Sequence, residues 1–140
     1  MSEQAIVERF IDIDAGHRVA RHESKCRNLH GHRYRLTVQI SGPIRDDDSP
    51  EHGMVIDFAR VKEALSVIHD EWDHRFLLGS DDPLLAAMSG LEGVVVLDVQ
   101  PTAENLAALA ASRLGEMLAP LRVVKVMIQE TTACSATVRP

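Results

Sequence analysis

The segment Cys26-Arg27-Asn28-Leu29-His30-Gly31-His32 gathers the residue types in this chain best suited to chemistry. Side chains two apart on a β-strand point the same way, so His30 and His32 present two imidazoles to one side. Zinc accepts imidazole nitrogen readily, and three protein ligands with one open position is its usual catalytic arrangement. A third ligand must come from elsewhere. His17 suits it best, because it ends the preceding apolar segment and a hairpin would bring the two strands together. His22, in the intervening loop, is a weaker competitor. An isolated H-x-H pair is more often surface or satisfied core histidine. Here the pair falls on the apolar face of its strand, where burying unpartnered rings is costly. Spacing alone leaves metal and no metal about evenly matched.

Cys26 lies four positions before His30, between Lys25 and Arg27. Neighbouring positive charge favours the thiolate, the form that acts as base or nucleophile. The same cysteine could be an incidental loop residue or a fourth metal ligand. Cys134 has no comparable setting and reads as structural. In Asp73-His74 a carboxylate can fix the tautomer of an imidazole and raise its basicity. Adjacent side chains seldom face each other, however, and most Asp-His pairs are ordinary surface residues. Glu130 closes an apolar strand series, so its carboxylate sits at the edge of a core or pocket, or emerges into water.

The elements that must position these groups follow from pattern. Residues 5–17 are rich in β-branched and apolar side chains and predict a strand, and 18–29 a polar loop. Over 30–41 the alternation is clear: His30, His32, Tyr34, Leu36, Val38 and Ile40 share one face, and Arg33, Arg35, Thr37 and Gln39 the other. Residues 42–53, with Pro43, Pro50, Gly53 and three successive aspartates, predict a loop. Asp57 can cap a helix whose Phe58, Val61, Leu65, Ile68 and Trp72 make one apolar stripe. A loop over 79–83 and a buried strand over 94–99 follow. Thr102 caps a second helix, with Leu106, Leu109, Ala110, Leu114 and Met117 inward and Pro120 at its close. Residues 123–130 form the last strand, with Val124, Val126 and Ile128 on the face of Glu130.

This order, β, β, α, β, α, β, predicts an α+β fold with antiparallel pairing. Such a sheet leaves two edges, which assembly into a closed ring would cover. The length, 140 residues, suits one domain over 1–140. Aromatics make up only 4%, so the core must rest on Val, Leu, Ile and Ala. A formal charge of -6 argues against a nucleic-acid partner, though a small anionic substrate needs only a local basic cluster. The first ten residues carry Glu3, Glu8 and Arg9, unlike a signal peptide, and no apolar run approaches the roughly 20 residues that span a bilayer. Two cysteines are too few for a disulfide framework and fit a reduced, cytoplasmic setting.

Six motifs stand in one register: the segment ending in His17, Cys26-x-x-x-His30-Gly-His32-x-Tyr34, Val55-Ile56-Asp57-Phe58, Trp72-Asp73-His74, Pro101-Thr102-Ala103-Glu104-Asn105 and Gln129-Glu130-Thr131. In this the chain resembles the 6-pyruvoyltetrahydropterin synthase and 6-carboxytetrahydropterin synthase family. The resemblance implies a tunnelling fold, with a four-stranded antiparallel sheet and two helices per subunit. It further implies trimers that close a twelve-stranded barrel and stack in pairs as a homo-hexamer. It implies Zn2+ on His17, His30 and His32, Cys26 as proton acceptor, and Asp73 with His74 as a relay across a subunit interface. Glu130 would anchor the pterin ring, with Thr102 and Glu104 near the same pocket. Elimination of triphosphate needs positive charge, for which Lys25 and Arg27 are the candidates.

The implied substrate is the pterin 7,8-dihydroneopterin triphosphate. The three residues between Cys26 and His30 resemble the 6-carboxytetrahydropterin branch of the 7-deazaguanine (queuosine) route, whereas the pyruvoyl-forming enzymes usually have a longer gap. A folate-linked branch carries glutamate where this chain has Cys26. One departure is that Arg75-Phe76-Leu77-Leu78 follows Asp73-His74 without the Asn that often comes after the leucines.

Overall fold

In a computed structural model that describes residues 3–140, β1 (Gln4–His17) and β2 (His30–Pro43) form the long hairpin that alternation predicts. They pair antiparallel from Gln4 opposite Pro43 to His17 opposite His30, which sets the first and second histidines side by side. The next elements are α1 (Phe58–Trp72), β3 (Phe76–Gly79), β4 (Val94–Leu97), α2 (Ala103–Leu118), β5 (Arg122–Thr131) and β6 (Cys134–Val138). The sheet runs β4-β3-β1-β2-β5-β6.

The architecture is α+β, but the expected four-stranded antiparallel sheet is instead a six-stranded mixed one. β1, β2, β5 and β6 pair antiparallel. β3 joins β1 in parallel, and β4 joins β3 in parallel. β2 runs back against β1, and α1 returns alongside β1 from Phe58 near Arg9 to Asp73 at Asp14, so β3, which follows α1 directly, continues in the direction of β1. The strand predicted over 94–99 is β4, ending at Leu97, but it is an edge strand and not a buried one, with Val96 54% exposed, and the predicted loop at 79–83 gives up Gly79 to β3.

One face of the sheet carries both helices and the core. Leu36, Val38 and Ile40 of β2, Val126 and Ile128 of β5, Val61, Leu65 and Ile68 of α1, and Leu106 and Leu114 of α2 are fully or almost fully buried there. Asp57 caps α1 by accepting from Ala59 N–H, and Thr102 caps α2 by accepting from Asn105 N–H, as their residue types predict. Three expected inward residues do not turn inward. Phe58, at the first position of α1, lies 52% exposed, before the helix meets the sheet. On α2 it is Leu118, not Met117, that is buried. In β5 an irregularity opposite Gln39 and Ile40 makes Val124 the extra residue, so Val123 takes the core position. No helix among the described residues is long and apolar enough to cross a membrane.

Leu36 sits at 0% exposure between the two helices and its strand neighbours. Leu36→Ala should lower the unfolding free energy by about 2–5 kcal/mol, the usual cost of deleting a buried leucine, measured by urea denaturation. A loss under roughly 1 kcal/mol would mean that this part of the core can collapse around the gap.

Candidate functional site

Register builds the site. β1 ends on His17, β2 begins on His30, and the two are direct partners across the hairpin. His32 lies two residues along on the same face, below which Tyr34 and Leu36 are buried. The three rings meet edge to face, with centroids 4.6, 5.1 and 4.9 Å apart for His17–His30, His17–His32 and His30–His32. One ligand nitrogen from each falls within 4.8 Å of the others, so the trio can hold a metal ion.

Backbone carbonyls fix the tautomers. His17 Nδ1–H donates to the Pro101 carbonyl at 2.6 Å, at the entrance to α2, and His30 Nδ1–H donates to the Asn28 carbonyl at 2.7 Å. Because a carbonyl only accepts, each Nδ1 must carry the proton, and each neutral ring then has a bare lone pair at Nε2. Those two Nε2 atoms lie 3.0 Å apart. Two lone pairs at that distance repel unless a proton or a metal cation stands between them. Burial pushes the His17 pKa down to about 4, against a smaller opposing pull from the Pro101 carbonyl, which disfavours the proton at neutral pH. Burial also lowers the pKa of His32, whose Nε2 is buried with no hydrogen-bond partner. Three converging imidazole nitrogens are the donor set a first-row divalent metal takes.

A cavity of about 230 Å³ opens on the triad and is lined by His17, Val19, His22, Cys26, His30, His32, Thr102, Ala103, Glu104 and Glu130. Cys26 is carried into it by a single 3₁₀ turn, Lys25–Arg27, and its carbonyl accepts from Val19 N–H at 2.9 Å. Glu130 ends the regular part of β5, where the pairing with β6 skips a residue, and its Oε1 stands 3.9 Å from His17 Nε2. Thr102, Ala103 and Glu104 are the first residues at the α2 N-terminus. Cys26 and Glu130 line the cavity without joining the metal-competent group, and His22, the weaker third candidate, also stays outside it among the described residues.

The family model of 6-pyruvoyl tetrahydropterin synthase matches residues 6–140 of this chain. The chain belongs to that family. A probable 6-carboxy-5,6,7,8-tetrahydropterin synthase of Halobacterium salinarum is 37% identical over 133 residues, covering 92% of this chain and 83% of the relative. The 6-carboxy-5,6,7,8-tetrahydropterin synthase of Rickettsia conorii is 40% identical over 103 residues, 71% of this chain and 72% of that one. Among solved structures, 6-pyruvoyl tetrahydropterin synthase of Caenorhabditis elegans superposes with a TM-score of 0.73 at 25% identity, covering 99% of this chain and 97% of the other. An uncharacterized protein of Wolinella succinogenes shares the fold with a TM-score of 0.84 at 24% identity, covering 99% of each chain.

Not every residue that family resemblance points to reaches this cavity within one subunit. Asp73 caps the end of α1, and His74 follows with a left-handed backbone, φ 59°. That turn makes the adjacent side chains meet, contrary to the expectation for a bare dipeptide: His74 Nδ1–H donates to Asp73 Oδ2 at 2.6 Å. The pair is docked on β1, where Asp14 N–H donates to Asp73 Oδ1 at 2.9 Å and the Asp14 carbonyl accepts from His74 N–H. Burial works to raise the Asp73 pKa, but the Asp14 N–H and His74 outweigh it, so the net shift is downward and the carboxylate stays ionised. His74 is 79% exposed and lines a neighbouring, more open depression with Asp14, Gly16 and Phe76, which shares His30 and His32 with the cavity of the triad. Lys25 and Arg27 are exposed and do not line the cavity of the triad. Cys134, read as structural, is exposed at the start of β6 and packs against no core.

Other contributors escaped the sequence reading. Arg18 clasps the buried carboxylate of Asp82 through two guanidinium nitrogens and also reaches the Arg27 carbonyl, tying the Cys26 loop to the segment after β3. An Arg and an Asp 64 positions apart give no local signal. The Pro101 carbonyl is backbone and likewise silent.

Removing metal should expose the pH sensitivity of the triad. His17 and His32 have folded pKa values below the unfolded value of 6.5, so the unfolded chain binds more protons there as pH falls. Metal-free protein should therefore lose stability as pH drops from about 6.5 toward 4, and His17→Gln should flatten that slope in thermal melts across the range. An unchanged slope in the variant would contradict a buried, neutral His17.

Proposed function

We propose that this chain is a zinc-dependent lyase, a 6-carboxy-5,6,7,8-tetrahydropterin synthase of the 7-deazaguanine (queuosine) route. It converts 7,8-dihydroneopterin triphosphate, with uptake of water, to 6-carboxytetrahydropterin, acetaldehyde and triphosphate. One observation carries this reading: a single cavity gathers three converging imidazole nitrogens, a thiol and a carboxylate. The names of the 37% and 40% identical relatives support the carboxy branch, as does the three-residue gap between Cys26 and His30.

His17, His30 and His32 would hold the zinc, which when bound would supply Lewis acidity toward the side-chain oxygens of the substrate. Cys26, outside the ligand set but in the same cavity, takes the proton from the neighbouring side-chain carbon. The two oxygens of Glu130 accept from the N–H groups of the aminopyrimidinone edge and so fix the ring relative to the thiol. Thr102 and Glu104 line the wall beside it. Asp73 holds His74 by Nδ1 and leaves Nε2 to exchange protons with the side-chain hydroxyls.

Because His74 is exposed and opens on a different depression, it serves the cavity of a neighbouring subunit in a homo-hexamer built as a dimer of trimers. The short edge strands β4 and β6, with Val96 of β4 54% exposed, fit closure of such a ring. Lys25 and Arg27, exposed on the turn that carries Cys26, meet the triphosphate. A reduced thiol base suits the cytoplasm.

Incubating zinc-loaded protein with 7,8-dihydroneopterin triphosphate should yield 6-carboxytetrahydropterin by mass spectrometry. A pyruvoyl product would move the chain to the sister activity, and no turnover would overturn the enzyme reading. Cys26→Ala should cut turnover by about 100-fold or more while leaving zinc content unchanged. Loss of zinc in that variant would make Cys26 a ligand and not the base.

A further inference from the structure

The mechanism above leaves one buried polar group in the site unused. Tyr34 is 2% exposed, and its hydroxyl is buried without a hydrogen-bond partner. Its ring packs edge to face on two of the three histidines, with centroids 5.3 Å from His32 and 5.7 Å from His17. A phenol buried among apolar side chains normally finds an acceptor, since leaving the O–H unpaired forfeits its hydration with nothing in exchange. A phenol O–H is a hydrogen-bond donor at neutral pH.

No acceptor among the described residues lies within hydrogen-bond distance of the Tyr34 hydroxyl, and few stand near it. The Nε2 lone pairs of His17 and His32 are taken once a cation occupies the triad. Glu130 remains. Its carboxylate and the Tyr34 ring share a neighbour, since Oε1 lies 3.9 Å from His17 Nε2 and the ring packs edge to face on the same His17. Arg35 and Gln129 are the last pair of the β2–β5 ladder at this end, which leaves Tyr34 and Glu130 as the next residue on each strand. Glu130 also sits where the β5–β6 pairing skips a residue, a device that re-aims a side chain and leaves it in need of a separate anchor. Its present neighbour, His17 Nε2, is beyond hydrogen-bond reach at 3.9 Å and points its lone pair at the metal position.

We propose that Tyr34 is a positioning residue: its hydroxyl donates to the Glu130 carboxylate and holds that carboxylate aimed into the cavity above the histidine triad. The inference rests on the reading of Glu130 as the pterin anchor, and deepens it. Tyr34 touches neither substrate nor metal. It makes the wall of the metal site and the pterin anchor one unit, so that the ring is held at a set distance from the bound ion.

Tyr34 is the only tyrosine in the chain, which gives a readout independent of activity. Zinc-loaded protein carrying tyrosine labelled with carbon-13 at Cζ should show one phenol resonance by NMR. Glu130→Gln should shift that resonance, because a charged acceptor is replaced by a neutral one, while Glu104→Gln, which changes another carboxylate of the same cavity, should leave it in place. An unmoved resonance in Glu130→Gln overturns the proposal, whether or not the protein turns over the pterin triphosphate. In turnover assays Tyr34→Phe should raise KM for 7,8-dihydroneopterin triphosphate by roughly tenfold, the size of one hydrogen bond to a charged group, with kcat changed far less and zinc content intact. Adding Glu130→Gln to Tyr34→Phe should then cost less than the two separate effects combined. Additive effects, or an unchanged KM, would show that the bond does not position the anchor. Absence of any turnover in the parent protein would instead count against the proposed function, and the resonance would still decide the Tyr34–Glu130 bond.

Discussion

Two imidazole nitrogens at 3.0 Å, each with its lone pair turned toward the other, are a repulsive contact that the rest of this fold is built to maintain. The long β1–β2 hairpin sets His17 against His30 by register. The start of α2 pins the back of His17 through the Pro101 carbonyl, and the turn before β2 pins His30 through the Asn28 carbonyl. Burial of His17 and His32 withholds the proton that would otherwise relieve the repulsion. The site therefore has stored need for a cation, and folding of both helices onto the sheet is what keeps that need in place.

From this constraint the placement of the other groups follows. The Cys26 loop closes over the triad because Arg18 is clasped by the buried Asp82, and Cys26 reaches the cavity without entering the ligand set. Glu130 arrives from β5 on the same face of the sheet, re-aimed where the pairing with β6 skips a residue. Imidazole triad, thiol and carboxylate are thus supplied by different elements, and each is oriented by backbone or buried side chains. Asp73 and His74 are oriented with equal care, through Asp14, yet neither lines this cavity.

Much of this was legible in the sequence, and the failures have physical causes. Strict alternation over residues 30–41 located β2 and put His30, His32 and Tyr34 on one face, because a half-buried strand imposes period two. Both helix caps were readable from Asp57 and Thr102. β3 was not, since Phe-Leu-Leu-Gly is four residues with no alternation, and its parallel pairing depends on the direction in which α1 packs along β1, which spacing does not reveal. β6 was hidden because Cys-Ser-Ala-Thr-Val is mostly exposed and shows only Ala136 and Val138 partly buried. The meeting of Asp73 with His74 depends on a left-handed φ that histidine rarely adopts, so nothing in the residue types announced it. Tyr34 was seen as a strand residue, and its unpaired hydroxyl appears only once the core closes around it.

The most direct test of the cation-binding triad is X-ray absorption at the zinc edge on protein loaded with zinc. Three imidazole shells at about 2.0–2.1 Å, with a fourth light atom from solvent and no sulfur, are the expected first coordination sphere. A sulfur shell at about 2.3 Å would place Cys26 on the metal and remove it as the base, and fewer than three imidazoles would contradict the triad itself.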